Sequence, residues 1–410
     1  MSSLSPRTVR RSTALLIALR VGYAYNWFSI GPALLAVGST FSVGPADWGL
    51  LIAAFLAGAG ALQVPAGLLS RRYGARAVSL GGVALLAVGA SASALSTSFP
   101  ELLALRLLAG AGAGLFFSPA IGLVASLYPA GRRGVPVGTF SSAFSAGAAL
   151  GILGSSLLVP AVGWRLALGL GGVALGLITV LAFLLIPREA GAPEPSVSTR
   201  GVPAALRLRA VWALGFAFIG LEGATFATSQ FVVPYGETVL GWSALLAGAV
   251  AMMFVLPSVV GGPIGGAFAE RYRNHRTQLV AATATGAAVL VALPYAGVAV
   301  AVGVGVVFSF AYGFVYAVMY VIPHYWSGLP ASEVPLGIGL FNSMQLAGGA
   351  GVSALFGWVV AQSSYATGWT ILAGVVVLTL VALVAMPPTF PSAAGPPLSG
   401  EPAPPGAPGP

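Results

Sequence analysis

The chain has 410 residues, 57% of them hydrophobic and only 7% charged, with a net charge of +9. A soluble protein carries about 25% charged residues, so this composition excludes an ordinary soluble enzyme and describes a polytopic membrane protein. No cysteine is present, which excludes disulfides, thiolate metal sites and cysteine nucleophiles in this chain. Every basic residue is arginine, and most arginines lie between apolar runs, so the charge reports topology rather than affinity for nucleic acid.

Twelve apolar runs follow in order, at roughly 13–38, 47–69, 77–97, 100–127, 135–160, 164–186, 210–233, 242–268, 277–296, 299–323, 335–361 and 367–386. Each is long enough to cross a bilayer, whose hydrocarbon core takes about 20 residues at about 1.5 Å apiece. Arg7, Arg10 and Arg11 precede the first run, which continues past Arg20. It reads as a first transmembrane helix with its start held in the cytoplasm, not as a cleavable signal. Residues 188–209 are polar and proline-rich, a cytoplasmic linker, and 387–410 form a Pro/Gly-rich tail expected to be disordered. The linker separates an N-terminal six-helix bundle, 1–187, from a C-terminal one, 210–386.

Placing the N-terminus inside tests this count. Arg7, Arg10, Arg11, Arg71, Arg72, Arg76, Arg132, Arg133, Arg188, Arg200, Arg207, Arg209, Arg271, Arg273 and Arg276 then fall on the cytoplasmic side, and only Arg165 outside. Cytoplasmic loops collect arginine in this way, so the expected topology has an even number of spans and both termini in the cytoplasm.

The fourth run holds Arg106-Leu-Leu-Ala-Gly110-Ala-Gly112-Ala-Gly114. A phosphate loop would need a Gly-Lys-Ser/Thr and a preceding soluble strand, and neither is present. The glycines instead let a neighbouring helix approach closely, and a charge at the depth of Arg106 needs a functional or structural reason. The halves also echo each other. Gly67-Leu-Leu-Ser-Arg71-Arg72-Tyr73-Gly74-Ala-Arg76 corresponds to Gly266-Ala-Phe-Ala-Glu270-Arg271-Tyr272-Arg273, and Gly163-Trp164 corresponds to Gly368-Trp369. A six-helix duplication is the signature of a transporter built from two rocking halves around a central site.

These residues resemble the major facilitator superfamily over about residues 12–386. The loop after the second run is similar to the family signature Gly-x-x-x-Asp-Arg-x-Gly-Arg-Arg at Gly67, Arg72, Gly74 and Arg76. Arg71 stands where the family has its aspartate and Ala75 where it has the first of the paired arginines, whereas the second copy keeps an acid at Glu270 beside Arg271. In the family this loop latches the halves together at the cytoplasmic face. Arg106 with Gly110, Gly112 and Gly114 looks like the family's fourth-helix motif. Gly138, Gly147, Gly151 and Gly154 only partly match the family's antiporter pattern, since Ile152 stands where a proline is expected, and helix packing without antiport meaning is the favoured reading. The implied fold is an all-α membrane protein of twelve transmembrane helices in two pseudo-symmetric six-helix bundles.

The resemblance implies that the first, fourth, seventh and tenth helices line a central cavity. Glu222 lies near the middle of the seventh run, with Thr225, Phe226, Ser229 and Gln230 on its face. It is a candidate for protonation coupled to the conformational switch, or else a structural carboxylic acid bonded to neighbouring helices. Arg20, with Tyr23, Ala24, Trp27 and Gly31 on its face, would bind an anionic substrate, pair with Glu222, or snorkel to the headgroups. Arg106 is expected in a coupling or structural role, with direct ligand contact as the alternative. Phe308, Tyr312, Tyr316, Met319 and Tyr320 form a cavity wall or a packing face. Asn342, Gln345 and Ser353, with Gln63, suit interhelical hydrogen bonds better than ligands. His275 and His324 have no partner at metal-ligand spacing, so neither a metal, a cofactor nor an enzyme is expected.

The function expected from the sequence is secondary active transport across a bacterial or archaeal inner or plasma membrane, by a monomer, through alternating access. With no nucleotide-binding domain in the chain, the energy would come from an ion gradient, and Glu222 favours protons. Two candidate arginines against one carboxylate point to a small organic anion such as a carboxylate. The partners are then that small molecule, protons and the lipid bilayer, with no nucleic acid. A drug/proton antiporter exporting amphipathic compounds, and a non-transporting receptor on the same scaffold, remain as alternatives.

Overall fold

The computed structural model describes residues 5–129, 132–191, 204–272, 274–295, 297–325 and 334–384. Most of the expected linker (192–203) and the whole of the expected tail (387–410) lie outside the described residues, as does the side chain of His324. The helices are α1 (Pro6–Phe28), α2 (Leu34–Phe41), α3 (Pro45–Tyr73), α4 (Ala75–Ser93), α5 (Phe99–Ser126), α6 (Gly134–Leu185), α7 (Ala204–Arg207), α8 (Arg209–Thr238), α9 (Ala244–Met252), α10 (Ser258–Arg271), α11 (His275–Leu290), α12 (Val298–Val321), α13 (Val334–Gln362) and α14 (Tyr365–Val384).

Nine described helices are long and apolar enough to cross a membrane, and their lengths reconcile that number with twelve crossings. α6 has 52 residues, about 78 Å at 1.5 Å per residue and more than twice the roughly 30 Å hydrocarbon core. It contains a break at Gly163 (φ 80°, ψ 156°), backbone that a residue with a Cβ rarely adopts, and so supplies the fifth and sixth crossings. The first and eighth crossings are interrupted: α1 is long enough but carries Arg7, Arg10, Arg11 and Arg20, and α2, α9 and α10 are each too short to count alone. The first is α1 and α2 with a 3₁₀ turn at Gly31–Ala33, where Pro32 has no N–H to continue the helix. The eighth is α9 and α10, separated by turns ending at Pro257.

Glycine sets the spacing within each bundle. A Cβ on Gly110 or Gly114 would run into the backbone of α3 at Phe55 or Ala59, and one on Gly112 into Leu86 of α4. Alternate glycines of one stretch therefore seat α5 against two different helices. The second bundle repeats the device: Gly58 against Leu107 and Gly110 against Phe55 become Gly261 against Phe310 and Gly313 against Ser258, every position shifted by the same number of residues. Gly147 and Gly151 press α6 onto the backbone of α1 at Val21 and Tyr25, which favours the packing reading of those glycines.

Between the bundles the contact is one-sided. Gly49, Gly60 and Gly67 lie on one stripe of α3, spaced by nearly whole turns. The first two are packed against Ser353 and Ser343 of α13, whereas Gly67, and Gly339 one turn before Ser343, have nothing within 4 Å of a Cβ. On the opposite side Gly248 of α9 abuts Ser156 of α6, and Ser145 Oγ lies 3.0 Å from Ser258 Oγ. Two turns further on, Gly138 and Gly266 meet nothing. The bundles thus touch toward one end and part toward the arginine-rich end, where Arg11 Nη2 donates to Leu185 O (2.9 Å).

Candidate functional site

The end of α1 organises the centre. A helix leaves its last carbonyls without intrahelical donors, and here side chains from three other helices supply them. Arg106 Nη1 of α5 donates to Asn26 O (3.2 Å), Gln230 Nε2 of α8 to Trp27 O (3.2 Å), and Ser155 Oγ of α6 to Ser29 O (2.7 Å). The Asn26 side chain meanwhile donates to Gly22 O and Gly171 O at 2.8 and 3.2 Å. Arg106 is 3% exposed and lies 4.4 Å from the Phe55 ring centre. It pins the interrupted first crossing from within its own bundle, while Gln230 reaches it from the other.

Arg20 sits deeper in the same bundle and is 5% exposed. It neither snorkels outward nor meets Glu222. Its guanidinium carbon lies among four rings, at 4.3 Å from Phe117, 4.6 Å from Phe144, 4.7 Å from Tyr23 and 5.5 Å from Phe140. Aromatic faces attract a cation but accept no conventional hydrogen bonds, and both Nε and Nη1 are buried without a partner. Tyr316 and Tyr320 of the opposite bundle are its electrostatic neighbours.

Those tyrosines belong to a polar chain along α12. Tyr312 OH donates to Glu222 Oε2 (2.8 Å), Tyr316 OH to Tyr320 OH (3.0 Å), and Tyr320 OH to Asn342 Oδ1 (3.0 Å), which also accepts from Gln345 Nε2. The rings follow one another at 5.8 and 4.5 Å between centres, with Phe218 5.9 Å from Tyr312. Tyr316 lies within electrostatic reach of both Glu222 and Arg20.

Several other positions expected from the sequence sit elsewhere. Phe226 stacks on Trp27 and Phe28, 5.5 Å from each, so with Gln230 it plugs the closed side. Thr225 and Ser229 spend their hydroxyls on carbonyls of their own helix. In the signature loop, Gly74 caps α3 with φ 85°, and Arg76 donates to Ile186 O (3.0 Å) and Phe183 O (2.6 Å) of its own bundle. Arg72 and Arg271 lie over the rings of Tyr73 and Tyr272, and Glu270 is exposed. None of these contacts bridges the bundles, as a closed latch would.

Phe117, Phe140, Phe144 and Asn26 were missed by sequence reasoning. Phe140 and Phe144 stand one turn apart on the fifth crossing, the only advance sign that they share a face.

Residues 16–328 match the Major Facilitator Superfamily, and the chain belongs to that family of multi-pass membrane transporters. Its relatives include a probable nitrate/nitrite transporter, NarK2, of Mycobacterium tuberculosis, 28% identical over 65% of this chain and 67% of that one. The 4-hydroxybenzoate transporter PcaK of Pseudomonas aeruginosa is 32% identical over 35% and 34% of the two chains. The tetracenomycin C resistance and export protein of Streptomyces glaucescens is 35% identical over 32% and 24%. Among solved structures, a bacterial homologue of the human lysosomal transporter Spinster superposes with a TM-score of 0.70 at 17% identity, covering 93% of this chain and 96% of that one.

Proposed function

We propose that this transporter works by alternating access and moves a small organic anion, carboxylate-like, together with protons. Arg20 carries the reading. A buried guanidinium with two unbonded nitrogens, and no carboxylate paired with it among the described residues, lacks the counter-charge that such burial demands. An anionic substrate entering from the open, arginine-rich end would supply it. Glu222, held by Tyr312 on the other bundle, takes up or releases the coupled proton. Once both are loaded, the bundles rock: the contacts at Gln230 and Ser145 part, and the splayed end closes. Relatives named for nitrate, nitrite and 4-hydroxybenzoate, anions in neutral solution, agree with this polarity.

The test is proton flux into proteoliposomes loaded with a pH-sensitive dye. Adding monocarboxylates outside should acidify the lumen in the wild type and not in Arg20→Gln. Equal acidification in both would overturn the assignment of Arg20. A drug/proton antiporter is the second reading, favoured by the similarity to the tetracenomycin C export protein. It predicts instead that expression in a sensitive host raises tolerance to several unrelated amphipathic toxicants.

A further inference from the structure

Resting on that anion reading, the surroundings of Arg20 narrow the substrate class. We infer that the site takes a flat monoanion with an apolar body, an aromatic monocarboxylate, in preference to a small inorganic anion, a short aliphatic acid or a polyanion.

Charge sets the valence. Two guanidiniums are buried here without a carboxylate among the described residues, but Arg106 gives Nη1 to Asn26 O and lies over Phe55, outside the set of rings and tyrosines that surrounds Arg20. A dianion would bring a second charge with no partner, at a depth where unpaired charge is costly. The walls set the body. Around Arg20 stand Tyr23, Phe117, Phe140 and Phe144, and across from it Tyr316 and Tyr320, whose rings lie 4.5 Å apart. Nitrate or acetate would exchange full hydration for one guanidinium and leave these ring faces uncovered. An aromatic acid would seat its carboxylate on Arg20 and its ring against neighbouring rings, adding apolar burial and edge-to-face or offset contacts. The tyrosine hydroxyls are already directed into their own chain: Tyr312 to Glu222, Tyr316 to Tyr320, and Tyr320 to Asn342. They donate nothing toward a polyol or a peptide. Phe117, Phe144, Tyr316 and Tyr320 are only partly buried, so their faces remain within reach of an occupant.

The experiment is equilibrium binding to purified full-length protein in detergent, with benzoate, acetate, nitrate, succinate, phosphate and neutral benzamide as probes. Benzoate should bind about tenfold or more tighter than acetate or nitrate, and benzamide, succinate and phosphate should not compete with it. Arg20→Gln should lose benzoate binding. Phe117→Leu with Phe144→Leu should bring the benzoate-to-acetate affinity ratio toward one. If acetate or nitrate binds as well as benzoate and Arg20→Gln abolishes both, the aromatic preference is wrong and the anion reading stands. If no anion binds, or Arg20→Gln binds benzoate as the wild type does, both fall. The wild-type series needs no variant, so a poorly folding substitution does not shield the inference.

Discussion

Gln230 Nε2 donates to Trp27 O at 3.2 Å, joining the middle of α8 to the frayed end of α1 across the two bundles. One residue-turn away Phe226 lies against Trp27 and Phe28, and Gly31 approaches the Gln230 backbone, where a Cβ would come within 3.0 Å of Cα. In the proposed alternating-access mechanism this contact opens when the bundles rock. Gln230→Leu leaves the Trp27 carbonyl buried without its donor, a loss of ~1 kcal/mol, and shifts the conformers about fivefold away from the present one. Thiol labelling of Ser156→Cys, buried against Gly248 in the present conformer, should rise accordingly; unchanged labelling would remove Gln230 from the gate.

On the opposite side of the interface, Ser145 Oγ and Ser258 Oγ are 3.0 Å apart, α6 to α10. The chain has no cysteine to compete, so Ser145→Cys with Ser258→Cys should cross-link on oxidation. Transport should stop and return on reduction. A cross-linked protein that still transports would show that these helices do not separate.

Arg106 donates to the carbonyl of Asn26, and the proposed mechanism gives it a structural role there rather than a ligand contact. Arg106→Leu strands that carbonyl, at ~1–3 kcal/mol, and should lower the unfolding temperature. Transport of every substrate should fall by the same factor. A changed order of preference among substrates would place Arg106 in the binding site instead.

The glycines of α5 differ sharply in what surrounds them. Gly112→Val drives a side chain into the backbone of Leu86 and Gly82, an overpacking of ~1–3 kcal/mol or more, and should abolish folded expression. Gly122, in the same helix, has nothing within 4 Å of a Cβ, and Gly122→Ala should express normally. Fluorescence-detected size exclusion of the two variants settles the contrast.

The contrast between these glycines shows what the sequence reveals. Alternation at Gly110, Gly112 and Gly114 implied close neighbours, because bilayer packing leaves few other uses for a missing side chain. It did not say which helices, or that α3 takes the outer pair and α4 the middle one. The spans were legible for a similar reason: a lipid-embedded backbone must satisfy itself, so long apolar runs have little choice but helix. The breaks after Phe28 and at Pro257 were less legible, since the partners that tolerate them come from other helices: Arg106, Gln230 and Ser155 donate to the carbonyls at the first, and Ser309 Oγ accepts from Ser258 N at the second. Arg20 drew notice as a charge at depth, yet its cage draws Phe117 and Phe140 from two further crossings. No period along one helix announces that. Glu222 and Tyr312 were each picked out alone; their 2.8 Å bond is a property of the packed pair.

Beside the anion at Arg20, the proposed mechanism needs Glu222 to carry the coupled proton. The direct measurement compares two modes in the same proteoliposomes: exchange of labelled for unlabelled substrate at equal pH, and accumulation driven by a pH gradient. Glu222→Gln should keep exchange within a few-fold of the wild type and lose accumulation. Continued concentration of substrate by Glu222→Gln, against its own gradient, would contradict the mechanism.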